Sequence, residues 1–337
     1  MIIPIVLATD KKYIAPTYIT IYSMLKNKLV DERTRYDIYI LASGSVSDEE
    51  KKMLSSFQYG RSDVKVEFID MENQFQNINT HSSYITSATY YRLKLPDLLP
   101  DTDICLYLDT DIIVCSDLTD LFGYAKDMDD KYYIAGVKEL PSCIFHYSMI
   151  GLPDPMHYFN AGVILMNLKM FRDNNLCDTL LKEAEQEYLY HDQDILNKVC
   201  FGKVLFLPVK YNKMIKYYYN FDNHESLIEE AQSFFSEYGY DDAVNRPVII
   251  HFCSPVKPWW GTKDICTELW WEYYDEIPED IKHNLFKPFL KREYRGKLYV
   301  LKTLCNRAER KVLNIWQRIT QKTVIDKCNM DTRCSVN

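Results

Sequence analysis

Two aspartates one residue apart, Asp109 and Asp111, follow the apolar run Ile104-Cys105-Leu106-Tyr107-Leu108. Carboxylates at that spacing can share a hard divalent cation, Mg²⁺ or Mn²⁺. They can equally be two solvated loop acids, and Asp-x-Asp alone does not separate the readings. A second apolar run, residues 248–252, carries His251, with Lys257 six residues on. A neutral imidazole can complete the coordination of the same metal. A carboxylate-plus-imidazole set then favours Mn²⁺, because Mg²⁺ prefers oxygen. Lys257 can neutralise a phosphate as a point charge. Taken alone, His251 reads as a core histidine. Two further polar groups interrupt apolar stretches. Asn160-Ala161-Gly162 precedes a buried run, where Gly162 either permits close approach of a ligand or makes an ordinary strand-entry turn. Asp192 and Gln193 open a helical stretch, where Asp192 either caps the helix or joins Gln193 in gripping hydroxyl groups.

These residues need elements to position them. Apolar runs predict strands at 2–9, 36–42, 64–69, 104–108, 133–137, 163–167, 204–207 and 248–252. Helical patterns cover 16–28, 47–57, 86–95, 168–188 and 192–200, and Ser47 with Glu50 forms a capping box. Strands alternating with helices imply an α/β fold with a mainly parallel, doubly wound sheet. In such a sheet ligands bind beyond the carboxyl ends of the strands, where Asp109 and His251 fall.

Composition narrows the chemistry. The 337 residues include only 10 glycines, no two closer than 11 positions. That excludes the G-x-G-x-x-G loop and the G-x-x-x-x-G-K-[ST] loop, so any bound diphosphate must be held otherwise. No apolar run reaches the ~18 residues a membrane span requires. The first residues lack a basic n-region and meet Asp10 early, so a cytosolic protein with reduced thiols is expected from its ten cysteines, none in C-x-x-C. Net charge is −8, yet residues 287–327 carry +9 and residues 1–286 carry −17. An acidic body excludes a general nucleic-acid binder and suits one that touches an anionic surface through its basic end.

Taken in order, Leu-Tyr-Leu-Asp-x-Asp, Phe-Asn-Ala-Gly-Val-x-Leu-x-Asn-Leu, Asp-Gln-Asp-x-Leu-Asn and His-Phe-x-x-x-x-Lys-Pro-Trp resemble glycosyltransferase family 8 over roughly residues 1–260. These are retaining GT-A enzymes that include glycogenin and the bacterial lipopolysaccharide α-galactosyl- and α-glucosyltransferases. Tyr90-Tyr91-Arg92-Leu93-Lys94-Leu95 and the basic tail resemble the bacterial branch. The resemblance implies a Rossmann-like mixed, mainly parallel sheet flanked by helices in a catalytic domain at 1–275, and a helical basic tail at 276–337. It implies Mn²⁺ or Mg²⁺ held by Asp109, Asp111 and His251, and UDP-galactose or UDP-glucose as donor. Ala8 and Asp10 would hold uracil and ribose, and Tyr13 would flank the base. Arg92 would face the donor's sugar or diphosphate, with Thr110 in the same donor site. Asn160 and Ala161 would line the donor sugar. Asp192 would bond its hydroxyls, Gln193 would lie near the anomeric carbon, and Ser254 and Lys257 would contact the diphosphate. Catalysis would fall to Gln193, Asp192 and Lys257. Three positions depart from the family pattern: Lys12 near the base, Ser254 in place of the usual glycine, and Glu139 about where relatives place an acceptor-side aspartate.

A haloacid-dehalogenase-like phosphatase also places Asp-x-Asp after an apolar strand, but its Gly-Asp acid pair has no counterpart here. A non-catalytic nucleotide- or glycan-binding relative is the other rival. In the tail, Leu298, Leu301, Leu304, Ala308, Val312, Ile315, Trp316 and Ile319 share one helical face. That face predicts peripheral contact with the anionic cytoplasmic leaflet, where a glycan or glycolipid acceptor would lie; packing on the acidic body is the competing expectation. Truncation after about Phe286 should abolish flotation with anionic liposomes. Flotation unchanged by truncation rules the tail out.

Overall fold

The computed structural model describes residues 1–29, 33–75, 86–219, 225–253, 257–260 and 267–286. Ser254 and the basic tail from residue 287 lie outside them. The chain divides into two units, Met1–Pro258 with Lys263–Phe286, and Trp259–Thr262 with Lys287–Asn337. The second lies outside the described residues except for Trp259 and Trp260.

The first unit is built on a seven-stranded sheet of order β3-β2-β1-β4-β7-β6-β8. Its strands are β1 (Ile2–Thr9), β2 (Arg35–Ala42), β3 (Val64–Asp70), β4 (Ile104–Leu108), β6 (Ile134–Lys138), β7 (Phe159–Asn167) and β8 (Val204–Phe206). β1, β2, β3 and β4 run parallel, while β7 is antiparallel to both β4 and β6. The sheet is therefore mixed, of the GT-A-like kind. The central strands are apolar without alternation because both faces are covered, and every residue of β7 is buried. Edge strand β3 alternates at its start, as a half-exposed strand should. Pro4 is tolerated in β1 because pairing with β4 begins only at Ile5.

A second sheet of order β5-β10-β9 sits beyond β4 in the chain. It joins β5 (Ile112–Val114), β9 (Lys213–Met214) and β10 (Ile249–His251). At two or three residues, β5 and β9 are too short for any periodicity to announce them. Two other expectations shift. The helix expected at 168–188 is two helices, Leu168–Asp173 and Cys177–Glu183, with Asn175 at φ +54° between them. Asparagine tolerates that left-handed conformation and so ends the first helix. The strand expected from residue 163 begins at Phe159, which puts Asn160, Ala161 and Gly162 inside β7 rather than in an entry turn. The capping box on helix Asp48–Ser55 forms as expected: Glu50 N–H donates to Ser47 Oγ, and Ser47 N–H donates to Glu50 Oε2.

Helix Ile14–Lys26 fastens the turn that holds the paired acids. Thr20 Oγ1 lies 3.0 Å from the carbonyl oxygens of both Thr110 and Ile112. One helical turn on, Ser23 Oγ accepts from Val114 N–H at 3.0 Å, and just beyond the helix Asn27 Nδ2 donates to Val114 O at 2.9 Å. Three side chains on one helical face thus supply partners to the backbone of 110–114, the strand that leaves the large sheet. Thr20→Val keeps the shape and removes the donor from two buried carbonyls. It should cost about 1–3 kcal/mol of stability in urea unfolding, and an unchanged midpoint would show that these bonds contribute nothing.

Candidate active site

Asp109 leaves the carboxyl end of β4, and its N–H donates to Gly162 O of β7 at 2.7 Å. Asp111 precedes β5, whose antiparallel pairing with β10 puts His251 opposite Ile112, and Phe252 N–H donates to Asp111 O at 2.9 Å. These pairings, not sequence proximity, bring residue 251 to residues 109 and 111. One ligand atom from each of Asp109, Asp111 and His251 lies within 4.8 Å of the others.

Each carboxylate divides its oxygens between a cation and the imidazole. Asp109 Oδ1 is 2.8 Å from Arg92 Nη2, while Oδ2 is 3.8 Å from His251 Nε2. Asp111 Oδ2 pairs with Lys257 Nζ, while Oδ1 is 3.2 Å from His251 Nε2. That last contact is not a hydrogen bond, and the buried Oδ1 has none. Burial pushes the Asp111 carboxyl up, but the Lys257 ammonium beside it outweighs that and holds it below the usual carboxylate range. Gly162 leaves the room: a Cβ there would lie 2.3 Å from His251 Cε1 and 2.7 Å from Asp109 Oδ2. The close approach that glycine permits is therefore between the site's own side chains. A partnerless buried oxygen, an imidazole nitrogen and a second carboxylate around a glycine gap fit an Mn²⁺- or Mg²⁺-type cation.

Arg92 is buried between two carboxylates. Besides Asp109 it lies 2.9 Å from Asp192 Oδ2 through Nε, in an ion contact that is not a hydrogen bond, and it stacks on the Tyr107 ring at 4.1 Å. Asp192 does not cap its helix; Tyr190 stands at the cap of His191–Val199, and Asp192 accepts from Thr89 Oγ1 at 2.6 Å. Burial raises the Asp192 carboxyl to about 6, against the opposing pull of Arg92. His191 holds φ at +52°, a conformation unfavourable for a bulky side chain. Asp194 secures this turn, accepting from Tyr190 N–H, His146 Nε2 and Tyr158 Oη. The turn presents Gln193 to β7. Gln193 Oε1 accepts from Ala161 N–H at 3.0 Å and Asn160 Nδ2 at 3.1 Å, and Nε2 lies 3.3 Å from the Tyr158 hydroxyl.

The structure thus gathers Asp109, Thr110, Asp111, Arg92, Asn160, Ala161, Asp192, Gln193, His251 and Lys257. Ala8, near the end of β1, and Asp10, just past it, lie at the same edge, since Leu7 is registered with Leu108. Asp10 Oδ1 accepts from the N–H groups of Lys12 and Tyr13, at 2.8 and 3.1 Å. The Tyr13 hydroxyl, raised mainly by burial, also feels the charges of Lys257, Asp111, Asp10 and Asp109. Lys257 donates to Phe252 O as well as to Asp111. A cavity of 360 Å³ lined in part by Asn27, Cys115 and Asp117 lies past the other end of β5 and contains none of these residues. Thr89, His146 and Asn212 sit in no spacing that signals chemistry; only their contacts reveal them. Asp194 stands in the Asp-Gln-Asp motif and Tyr158 next to Phe-Asn-Ala-Gly, but their part in holding the turn is visible only in the structure.

The open mixed sheet, with paired acids and a histidine at its carboxyl edge, is of the GT-A-like kind. A profile described as Glycosyl transferase family 8 matches residues 4–263, and the chain belongs to that family. General stress protein A of Bacillus subtilis is 25% identical over 245 residues, 70% of this chain and 80% of that protein. Lipopolysaccharide 1,3-galactosyltransferase of Salmonella typhimurium is 24% identical over 261 residues, 75% of this chain and 72% of that protein. The crystal structure of galactosyltransferase LgtC with donor and acceptor sugar analogs superposes with a TM-score of 0.66 at 25% identity, covering 83% of this chain and 99% of that one. The phosphatase alternative finds no support in these matches.

The raised Asp192 carboxyl sets a pH dependence. Its native form binds a proton more tightly than the unfolded chain, whose carboxyl titrates near 3.9. Its contribution to stability is therefore full below about pH 4 and is lost as pH rises through about 6. Relative to Asp192→Asn, the wild-type melting temperature should fall between pH 4 and 7. A difference that does not change with pH over that range counts against a carboxyl titrating there.

Proposed function

We propose that the chain transfers galactose or glucose from a UDP-sugar to a hydroxyl of a cell-surface glycan or lipopolysaccharide-type acceptor, keeping the α configuration. The convergence of Asp109, Asp111 and His251 around the gap at Gly162 carries the reading, with Lys257 and Arg92 supplying positive charge beside it. The family and the relatives named for galactosyl transfer support it. Asp109, Asp111 and His251 would hold Mn²⁺ or Mg²⁺. When bound, the cation supplies Lewis acidity at the diphosphate as the leaving group gains charge.

The chain's own groups do the rest. Lys257, paired with Asp111 Oδ2, would place a fixed charge beside the diphosphate, in a site where Lys257 is almost wholly buried and water screens little. Asp192, still paired with Arg92, accepts from the donor sugar's hydroxyls. Ala8, Asp10 and Tyr13 lie where the β1 edge can receive uracil and ribose, and Thr110 lies in the turn between the two acids. Ser254, outside the described residues, is retained as a diphosphate contact. Gln193 is a weak nucleophile. Its carbonyl oxygen already accepts two hydrogen bonds, which lowers its electron density further. Attack by the acceptor on the same face as the leaving group therefore fits better than a covalent intermediate on Gln193.

Asp109→Asn and Asp111→Asn, assayed by UDP release with Mn²⁺, should each lower turnover about 10²-fold or more. Both should also lose the Mn²⁺-dependent thermal stabilisation by UDP. UDP-sugar hydrolysis at the wild-type rate in either variant would falsify the metal role.

A further inference from the structure

Behind His251 a line of buried amides leads away from the metal-side nitrogen. His251 Nδ1 is 2.9 Å from Asn212 Oδ1, Asn212 Nδ2 is 2.8 Å from Asn160 Oδ1, and Asn160 Nδ2 is 2.9 Å from Glu139 Oε1. Asn212 sits just before β9, the strand that pairs with β10, which is why it stands beside His251. His251, Asn212, Asn160 and Glu139 are all more than nine-tenths buried. Solvent does not interrupt the line.

We propose that Glu139 sets the tautomer of His251 through Asn160 and Asn212, putting the ring hydrogen on Nδ1 and the lone pair on Nε2, toward Asp109 and Asp111. This rests on reading those three residues as the metal site. Glu139, Asn160 and Asn212 are then positioning residues, not catalytic ones.

The direction of the line follows from its fixed ends. A side-chain amide donates only through nitrogen and accepts only through oxygen. Glu139 is an acceptor. Burial raises its carboxyl, but Lys216, Tyr217 and Asn160 outweigh that and hold it below the usual range. Lys216 Nζ lies 2.8 Å from Oε2, and the Tyr217 hydroxyl donates to the same oxygen. At the other side Gly162 N–H, which can only donate, is 3.0 Å from Asn160 Oδ1. Between an obligate acceptor and an obligate donor, Asn160 has one orientation. Its amide is then complete: Oδ1 accepts from Gly162 and Asn212, and Nδ2 donates to Glu139 and Gln193. Asn212 must offer its NH₂ to Asn160 and its oxygen to His251. An oxygen there requires the hydrogen on Nδ1, and a neutral imidazole has only one. The position at which the sequence departs from an acceptor-side aspartate is thus occupied by a buried glutamate that orients the metal side.

The test reads the tautomer directly. Long-range ¹H–¹⁵N correlation on the metal-free, full-length protein with ¹⁵N-imidazole histidine, recorded at alkaline pH, should show the neutral His251 ring as Nδ1–H. Its resonances are identified by their loss in His251→Asn. Glu139→Gln keeps the side-chain shape and lets an NH₂ face Asn160, so the Nε2–H form should appear. Asn212→Leu should release the tautomer as well. Mn²⁺ affinity in the presence of UDP, followed by electron paramagnetic resonance, should fall about 10–100-fold in Asn212→Leu, the usual range for a ligand's hydrogen-bond partner, and should fall in the same direction in Glu139→Gln. If Asn212→Leu does not fold, the isosteric Glu139→Gln decides alone. Nε2–H in the wild type, or a wild-type tautomer in folded Glu139→Gln, overturns the proposal. A wild-type protein that shows Nδ1–H and binds no Mn²⁺ overturns the metal reading and leaves the Glu139 relay standing on the spectrum.

Discussion

Two carboxylates cannot be brought together away from water without compensation, and the site is arranged around that constraint. Asp109 and Asp111 each give one oxygen to a buried cation, Arg92 or Lys257, and turn the other toward His251 Nε2. The cations reduce mutual repulsion and keep the acids ionised. Because each cation uses only one oxygen, the remaining atoms can face a common centre. Arg92 is shared again with Asp192, so the electrostatics of the acid pair and of Asp192 are coupled through a single guanidinium.

That arrangement depends on backbone more than on side-chain reach. β7 runs antiparallel to β4, so Gly162 lies beside Asp109, and the absent Cβ leaves space for two converging side chains. β10 pairs with β5 although the two are far apart in the chain, Val114 with Ile249 at one end of the ladder and Ile112 with His251 at the other. Helix Ile14–Lys26 supplies hydroxyl and amide partners to the short strand β5, which has no large sheet to complete its hydrogen bonding. The small sheet therefore serves to carry His251 rather than to build core.

Behind the site the Asn160 amide has both of its atoms hydrogen-bonded, and this gives the polar line its direction. Asn160 touches both halves, reaching His251 through Asn212 and Gln193 directly. Buried networks of this kind hold one arrangement because the alternatives leave donors facing donors. Gln193 is held by the same logic from the other side, through Tyr158 and Asp194. The surroundings of His251 and of Gln193 are thus joined by one connected set of amides.

The sequence by itself determined the α/β class, the order of the long strands, the capping box at Ser47 and the four motifs that meet at the carboxyl edge. Those features are local: apolar runs, turn chemistry and short-range spacing carry them. It also placed Asp109, Asp111 and His251 in one hypothesis, although nothing local distinguishes His251 from a core histidine. Only the tertiary structure decided that they meet, because their approach depends on the β5–β10 and β4–β7 pairings between distant segments. It also decided that Gly162 makes room inside the site, that Asp192 pairs with Arg92 instead of capping a helix, and that Glu139 faces inward. Asn212, Thr20 and Thr89 were illegible for the same reason. A hydrogen-bond partner is defined by direction and distance in space, and neither leaves a period in the chain.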